Sequence, residues 1–200
     1  MSTALLRHFI DGEFVASPQT FANISPVDGR VLGQVCEADR SQVDRAVTAA
    51  KAAQSGPWAD YSASQRADLL LRIAAGIEAR FEAFVAAEVA DTGRPVQQAR
   101  TLDVARAVQN FRTFAELLRQ SGGEIFEMRG ADGNDVFSYS VRKPHGVVAI
   151  ISPWNLPLLL LTWKVAPALA CGNSVVVKPS EDTPSSATLL AEVMRDAGVP

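Results

Sequence analysis

Polar side chains follow two apolar runs of the sequence, 147–151 and 174–177. Asn155 comes shortly after the first run, and its amide can donate a hydrogen bond to an oxygen on which negative charge develops. Lys178 and Glu181 follow the second run and offer one donor and one acceptor, which suits the diol of a ribose. The sequence therefore predicts oxyanion stabilisation at Asn155 and ribose binding at Lys178 and Glu181.

Each of these assignments has a structural alternative. Asn155 could cap the helix that follows it, and its position fits that role as well as it fits catalysis. Lys178 and Glu181 could form a surface ion pair, or Glu181 could stand at the start of a helix. The fingerprint Gly-x-Gly-x-x-Gly of dinucleotide-binding folds does not follow Ile151, so these residues alone do not predict an ordinary Rossmann fold.

The segments around these residues alternate between strand and helix. The predicted order is strand, helix, strand, helix, at 147–151, 158–171, 174–178 and 185–197. This order predicts a parallel sheet, buried on both faces, with right-handed crossovers. Ligands of such sheets bind beyond the carboxyl ends of the strands. Residues 152–155 and 178–181 lie at those ends, so we expect them to share one crevice.

The preceding part of the chain predicts small strands, three helices and a hairpin. Asp11-Gly12 and Asp28-Gly29 predict tight turns between apolar flanks. Helices are predicted at 41–54, with Ser41 as N-cap, from about 62 to 92, and from about 96 to 120. An extended hairpin at 124–143 is suited to pairing with another chain. The predicted divisions are 1–123, 124–143 and 144–200.

Composition narrows the class of protein. The 200 residues are 48% hydrophobic and 20% charged, with a net charge of -3, which fits a globular chain with a sizeable core. No basic cluster indicates a nucleic-acid partner, and the most apolar stretch is too interrupted to predict a membrane helix. Cys36 and Cys171 belong to no metal-binding pattern, which predicts no metal site and a cytoplasmic location.

Several segments together resemble the aldehyde dehydrogenase family. They are 23–29 (Asn-Ile-Ser-Pro-Val-Asp-Gly), 56–58 (Gly-Pro-Trp) with Arg66, 91–95 (Asp-Thr-Gly-Arg-Pro), 151–155 (Ile-Ser-Pro-Trp-Asn), 166–173 (Ala-Pro-Ala-Leu-Ala-Cys-Gly-Asn) and 177–181 (Val-Lys-Pro-Ser-Glu). The resemblance covers nearly the whole chain, and the combination of motifs is highly specific.

The resemblance implies a fold and a binding site. The fold is α/β, with an incomplete Rossmann-like parallel-sheet cofactor domain, N-terminal helices and a β-hairpin arm that assembles a dimer or tetramer. Asn155 would belong to the oxyanion hole. The cofactor-binding residues would be Ile151, Ser152, Pro153, Trp154, Lys178, Ser180 and Glu181. Glu181 favours NAD because it would repel a 2′-phosphate, whereas Lys178 and Ser180 could tolerate one, so NADP stays open.

The family's reaction oxidises an aldehyde to its acid. A cysteine thiolate adds to the aldehyde, and Asn155 with the cysteine's own N–H holds the oxyanion of the thiohemiacetal. Hydride transfer to the nicotinamide forms a thioester, which a glutamate-activated water hydrolyses. The resemblance places that cysteine and glutamate further along the chain. Cys171 is expected to be a buried structural thiol, and 196–200 to lead into a further strand, so we expect an incomplete chain that is inactive alone.

Further segments, 86–95, 99–103, 110–115 and 157–160, resemble the 2-aminomuconic and 2-hydroxymuconic semialdehyde dehydrogenases. Their substrates come from aromatic ring cleavage and carry a carboxylate, which needs a cationic partner when buried. The resemblance assigns this role to Arg106 and the lining of the substrate tunnel to Leu156, Leu160 and Trp163. From the residues alone, solvent exposure of Arg106 and ordinary helix packing of the other three stay open.

Three functions are therefore compared. The first is the N-terminal part of a dehydrogenase that acts on an aldehyde as a complete chain. The second is a catalytically silent module that binds nucleotide or assembles through the hairpin. The third is a generic α/β nucleotide-binding domain with another reaction, which conflicts with Asn155, Lys178 and Glu181 occurring in the family's order.

Overall fold

The computed structural model describes residues 4–200, which begin with five short strands. They are β1 (Ala4–Leu6), β2 (His8–Ile10), β3 (Glu13–Val15), β4 (Thr20–Ile24) and β5 (Val31–Cys36). β2 and β3 form an antiparallel hairpin, and β5 pairs with β1 in parallel and with β4 antiparallel. Asp11 and Gly12 both have positive φ, 54° and 78°, which matches the twist of a two-residue hairpin turn. Both predicted turns, at Asp11-Gly12 and at Asp28-Gly29, are confirmed.

Helices make up most of the remaining structure. They are α1 (Arg40–Ala53), α2 (Ala63–Ala79), α3 (Phe81–Thr92), α4 (Val96–Gln98), α5 (Ala105–Gln120), α6 (Pro157–Ala170) and α7 (Ser185–Ala197). A 3₁₀ turn occupies Pro57–Asp60, and a π-helical segment, Ala99–Val104, joins α4 to α5. The predicted helix over 96–120 is therefore confirmed, with one π-helical segment inside it.

Two details of the helix predictions are wrong. The N-cap of α1 is Asp39 instead of Ser41, because Asp39 accepts the N–H of Gln42 at 2.9 Å and Gln42 accepts the N–H of Asp39 at 3.0 Å. The single helix predicted over 62–92 is two helices that meet at Arg80, whose φ and ψ are -112° and 23°. The Arg80 guanidinium pairs with two carboxylates of α7, a tertiary contact that helical periodicity does not reveal.

The core lies where α2, α5 and α6 pack against one another and against α3 and α7. Its largest fully buried apolar side chains are Phe84, Phe111, Leu69, Leu70, Ile73, Ile77 and Leu158. Several of them recur at spacings of three and four along α2 and α3, as the apolar stripe in the sequence predicts. This helical layer supports the sheet that carries the candidate site.

β8 (Val147–Ile151) and β9 (Ser174–Lys178) form a parallel pair in the register Val147 to Ser174 through Ile151 to Lys178. The α/β class and the strand–helix–strand–helix order are confirmed. The expectation that both faces of the sheet are buried is wrong for the described residues: Ile150 is 3% exposed, but Ile151 on the opposite face is 69% exposed. The reason is that Val148 and Ile150 face the helical core, whereas no described element covers Ala149 and Ile151.

The predicted hairpin is present as β6 (Ile125–Arg129) and β7 (Asp135–Tyr139). Every residue in both strands is exposed, so the hairpin stands away from the core. Within residues 4–200, no helix is long and apolar enough to cross a membrane. The same part of the chain contains no cluster of His, Cys, Asp or Glu suited to a metal ion.

Candidate functional site

The two loops that carry the predicted site leave the same edge of the parallel sheet. Ile151 lies opposite Lys178, and the Ser152 N–H donates to the Lys178 carbonyl at 3.2 Å. The loops therefore start side by side. Trp154, 62% exposed, and Glu181 line one open cleft between the sheet edge and β4. The two strands therefore end side by side, and each of the two loops contributes to the lining of this cleft.

Lys178 and Glu181 form an exposed ion pair, and Glu181 of this pair lines the cleft. Lys178 Nζ donates to Glu181 Oε2 at 2.6 Å, and both side chains are more than 60% exposed. The hydrogen bond from Lys178 lowers the pKa of Glu181, so this carboxylate stays ionised at neutral pH. The pair presents a donor and an acceptor to solvent at adjacent positions. A surface ion pair and a diol-binding pair have the same geometry here, and only the location in the cleft favours the second.

The remaining predicted cofactor-site residues differ in how they are presented. Ser152 and Ser180 are buried, and the Ser180 hydroxyl accepts the N–H of Asp182 at 3.3 Å within its own loop. Pro153 and Ile151 are exposed, and the Ile151 carbonyl accepts from Lys164 Nζ at 2.5 Å.

The side chain of Asn155 is free. It is exposed and, among the described residues, has no hydrogen-bond partner for its amide. The alternative that Asn155 caps α6 is wrong, since Leu156 occupies the N-cap position and no side chain of the loop caps the helix. The Leu158 N–H donates instead to Glu88 Oε1 at 3.2 Å. Because the Asn155 amide does not cap α6, its N–H groups are available to donate to an oxygen of a bound molecule.

Helix α3 supplies caps for both helices that follow the sheet strands. Glu88 caps α6, and one turn later Asp91 caps α7 by accepting the backbone N–H and the hydroxyl of Ser185, each at 2.8 Å. Asp91 also accepts from Asn23 at 2.8 Å. Glu88 was not among the residues predicted to belong to the site. The available signal was two acidic residues on the same helical face as Phe84, which points into the core.

Glu88 is the most strongly perturbed acid near the site. It is 1% exposed, and its Oε2 has no hydrogen-bond partner among the described residues. Burial is the main cause that raises the pKa of Glu88 to about 7. The neighbouring carboxylates of Asp103 and Asp91 also raise this pKa, whereas the nearby Ser186 hydroxyl and the Leu158 N–H lower it. Glu88 therefore titrates near neutral pH.

A first prediction concerns the pH dependence of stability. Because the pKa of Glu88 is higher in the folded than in the unfolded chain, its contribution is present below about pH 4.5 and is lost as pH rises through about 7. Glu88→Gln removes this loss and keeps an acceptor for Leu158. We expect the variant to be more stable than the parent at pH 8 by at most about 3 kcal/mol, and equal to it near pH 4.5.

Thermal unfolding of the full-length protein between pH 4.5 and 8 measures this effect. Glu116→Gln, at an exposed position on α5, is the matched control and should follow the parent curve at every pH. Parallel curves for Glu88→Gln and the parent would show that Glu88 does not change its protonation on folding.

The opposite end of α6 is held by the 3₁₀ turn that follows α1 and by the first turn of α2. Arg66 Nε donates to the Ala170 carbonyl at 2.9 Å, and Trp58 Nε1 donates to the Gly172 carbonyl at 3.0 Å. Cys171 lies at this end and is exposed, so the expectation of a buried thiol is wrong. It is exposed because it follows the last turn of α6, before Gly172 reverses the chain. The 14 residues of α6 separate it from Asn155 by about 21 Å.

The predicted substrate residues lie on the surface shared by α5 and α6. The Arg106 guanidinium lies 5.8 Å from the Trp163 ring centroid, and the Phe114 ring packs edge-on against Trp163 at 6.5 Å. Arg106 is exposed, on the side of α5 opposite to the core. Leu156 and Leu160 are half-buried and share with Trp163 the spacing of one helical face. This face runs from Asn155 along α6 for about two turns.

Comparison with known proteins identifies a family and similar folds. Residues 14–200 match the aldehyde dehydrogenase family. The chain is 54% identical over 197 residues to the 2-hydroxymuconic semialdehyde dehydrogenase of Pseudomonas sp. (strain CF600) and 54% identical over 194 residues to a 2-aminomuconic 6-semialdehyde dehydrogenase of Pseudomonas sp.. These matches cover 98% and 97% of the chain but 40% of each relative. The NAD+ complex of an aldehyde dehydrogenase from Bacillus cereus superposes with a TM-score of 0.93 at 37% identity, covering 98% of this chain and 40% of that one.

Proposed function

Because this chain belongs to the aldehyde dehydrogenase family, we propose that it supplies the cofactor-binding sheet edge and one oxyanion donor of an enzyme that oxidises an aldehyde to its acid. The observation that carries the proposal is the free amide of Asn155 at the same sheet edge as the Lys178–Glu181 pair. The chain aligns with the N-terminal part of the semialdehyde dehydrogenases and spans about 40% of their length. The activity proposed is therefore that of the full-length protein.

Asn155 stabilises the charge that develops on the substrate. When a thiolate adds to an aldehyde, the carbonyl oxygen becomes an oxyanion, and a pre-positioned amide N–H lowers the barrier by donating to it. The nucleophile and the general base come from residues outside these 200. Cys36 is buried at the end of β5, and Cys171 lies at the far end of α6, so neither thiol is placed to react beside Asn155.

The sheet edge fits a nicotinamide dinucleotide. Lys178 can donate to one ribose hydroxyl and Glu181 can accept from another, while the backbone of 151–154 lines the same edge. When bound, the nicotinamide accepts the hydride that leaves the substrate carbon. We propose NAD over NADP because the ionised Glu181 would repel a 2′-phosphate. The similar Bacillus cereus enzyme is known as an NAD+ complex, in keeping with this choice.

The proposed substrate is a semialdehyde that carries a carboxylate, as in the names of the two Pseudomonas relatives. Arg106 lies on α5, beside the face of α6 that runs from Asn155 to Trp163. Its guanidinium lies over the Trp163 ring, which restricts the positions that the guanidinium can take. Guanidinium groups bind carboxylates through two parallel hydrogen bonds. Leu156 and Leu160 offer apolar surface between the two ends of such a substrate.

The hairpin provides a surface for assembly. Its exposed apolar side chains include Ile125, Phe126, Phe137 and Tyr139, each more than 50% exposed. An exposed apolar ribbon with two free strand edges is a common site of chain–chain pairing. We propose that it joins copies of this protein into a dimer or tetramer.

A steady-state assay of the full-length protein tests the function and the cofactor preference together. We expect turnover of a carboxylated semialdehyde with NAD, and a lower kcat/KM with NADP. Glu181→Gln should raise KM for NAD by about 10-fold, because a hydrogen bond to a charged acceptor becomes one to a neutral acceptor. The KM for NADP should change little or fall.

Glu82→Gln is the matched control, since Glu82 is as exposed as Glu181 and forms an ion pair with Arg100 away from the cleft. It should leave both cofactor constants unchanged. If the ratio of the KM values for NAD and NADP is the same in Glu181→Gln as in the parent, Glu181 does not bind the ribose. A full-length protein that oxidises no aldehyde of a broad panel with either cofactor would contradict the proposed function itself.

A further inference from the structure

Arg94 lies just beyond the carboxyl end of α3, and its guanidinium bridges the π-helical segment and the loop that carries Asn155. Its Nη1 donates to both carboxylate oxygens of Asp103, each at 2.9 Å. Its Nη2 donates to the backbone carbonyl of Asn155. One guanidinium therefore ties a buried carboxylate to the peptide that carries the proposed oxyanion donor.

Asp103 is placed to hold this arginine in a single position. Its side chain is fully buried, and among the described residues Arg94 is its only hydrogen-bond partner. A buried carboxylate is costly unless it is paired, and Asp103 lies in the π-helical segment, a type of distortion that recurs near functional sites. The Arg94 side chain is only 16% exposed, so little solvent competes for its donors.

The Asn155 backbone needs such an anchor. The loop between β8 and α6 is irregular, and the residue after Asn155 has φ -145° and ψ 67°, outside the helical region. The side chain of Asn155 is exposed and makes no hydrogen bond that would hold its direction among the described residues. Its direction is therefore set by the orientation of its own peptide.

We propose that Arg94, held by Asp103, is a positioning residue that fixes the Asn155 peptide so that its side-chain amide points at the reacting oxygen. The inference rests on the proposed function, because it gives Arg94 a role only if Asn155 is the oxyanion donor. Arg94 acts on the chemical step and not on cofactor binding, since Lys178 ends the neighbouring strand β9 and Glu181 lies in the loop after it.

Arg94→Lys in the full-length protein tests this role. Lysine keeps the positive charge, but its single ammonium group cannot replace the planar guanidinium that donates to both Asp103 and the Asn155 carbonyl. We expect kcat to fall by about 10- to 100-fold, as for a catalytic group misplaced by about 1 Å, with KM for NAD unchanged. Arg112→Lys is the matched control: Arg112 pairs with Glu78 across α5 and α2 at 2.6 Å, and its kcat should equal that of the parent.

A double-mutant cycle separates positioning from a general structural effect. If Arg94 acts through Asn155, then Arg94→Lys should change kcat by less than about twofold in an Asn155→Ala background, because no amide is left to position. Equal losses in both backgrounds would overturn the inference and leave the proposed function intact. An Asn155→Ala variant with full activity would overturn the proposed function as well.

Asp103→Asn provides a second variant if Arg94→Lys fails to fold. It keeps the size of the side chain and one acceptor, while the negative charge that attracts the Arg94 guanidinium is removed. We expect a smaller fall in kcat than for Arg94→Lys, again abolished in the Asn155→Ala background. A fall that persists there would contradict the inference.

Discussion

Replacing Asn155 with alanine in the full-length protein should lower kcat by about 10²–10³ and leave KM for NAD within about twofold, because removal of one oxyanion donor has effects of this size. The donor acts only when charge develops on the substrate oxygen, so binding of cofactor and ground-state aldehyde should be preserved. The amide is exposed and takes no part in capping α6, and its removal should not alter the thermal stability.

Asn155→Asp sharpens this prediction. Aspartate has the same shape, but its ionised carboxylate accepts hydrogen bonds and repels the oxyanion, so kcat should fall at least as far as in Asn155→Ala. Gln120→Ala, which removes an exposed amide at the end of α5, is the control and should retain full activity. An unchanged kcat in Asn155→Ala with an unchanged Tm would show that this amide does not touch the reacting oxygen.

The second large effect is expected for Arg106→Ala, which should raise KM for a carboxylated semialdehyde by about 10- to 100-fold, the usual range for loss of a hydrogen bond between charged groups. An aldehyde of similar size without a carboxylate should be affected by less than about threefold, because it makes no use of the guanidinium. The measurement is the ratio of the two KM values in parent and variant. Arg106→Lys should give an intermediate ratio, since lysine keeps the charge but not the planar fork.

Arg119→Ala is the control for Arg106→Ala. Arg119 is an exposed arginine on the same helix that pairs with Asp68 of α2, so its removal should leave both KM values unchanged. An equal rise of KM for both aldehydes in Arg106→Ala would indicate that Arg106 acts by packing on Trp163. An unchanged affinity for the carboxylated substrate would remove Arg106 from the substrate site.

Local patterns in the amino-acid sequence were enough to predict most of the helices and strands and the order in which they carry polar residues. Apolar runs such as 147–151, turns such as Asp11-Gly12 and the stripe along α2 and α3 are local patterns, with spacings of two, three or four residues. Each is visible without a fold, because the partners are close in sequence. The shared edge for Asn155 and Lys178 followed from the same patterns, since parallel strands end at one side of a sheet.

The contacts that hold those residues in place are visible only in the folded chain. Glu88 caps a helix 70 residues away, Asp91 meets Asn23 across 68 residues, and Arg94 reaches the Asn155 carbonyl across 61. The break at Arg80 likewise coincides with its contact to α7, formed only after folding. Such contacts join groups that no periodicity relates, because folding alone brings them within the length of a hydrogen bond.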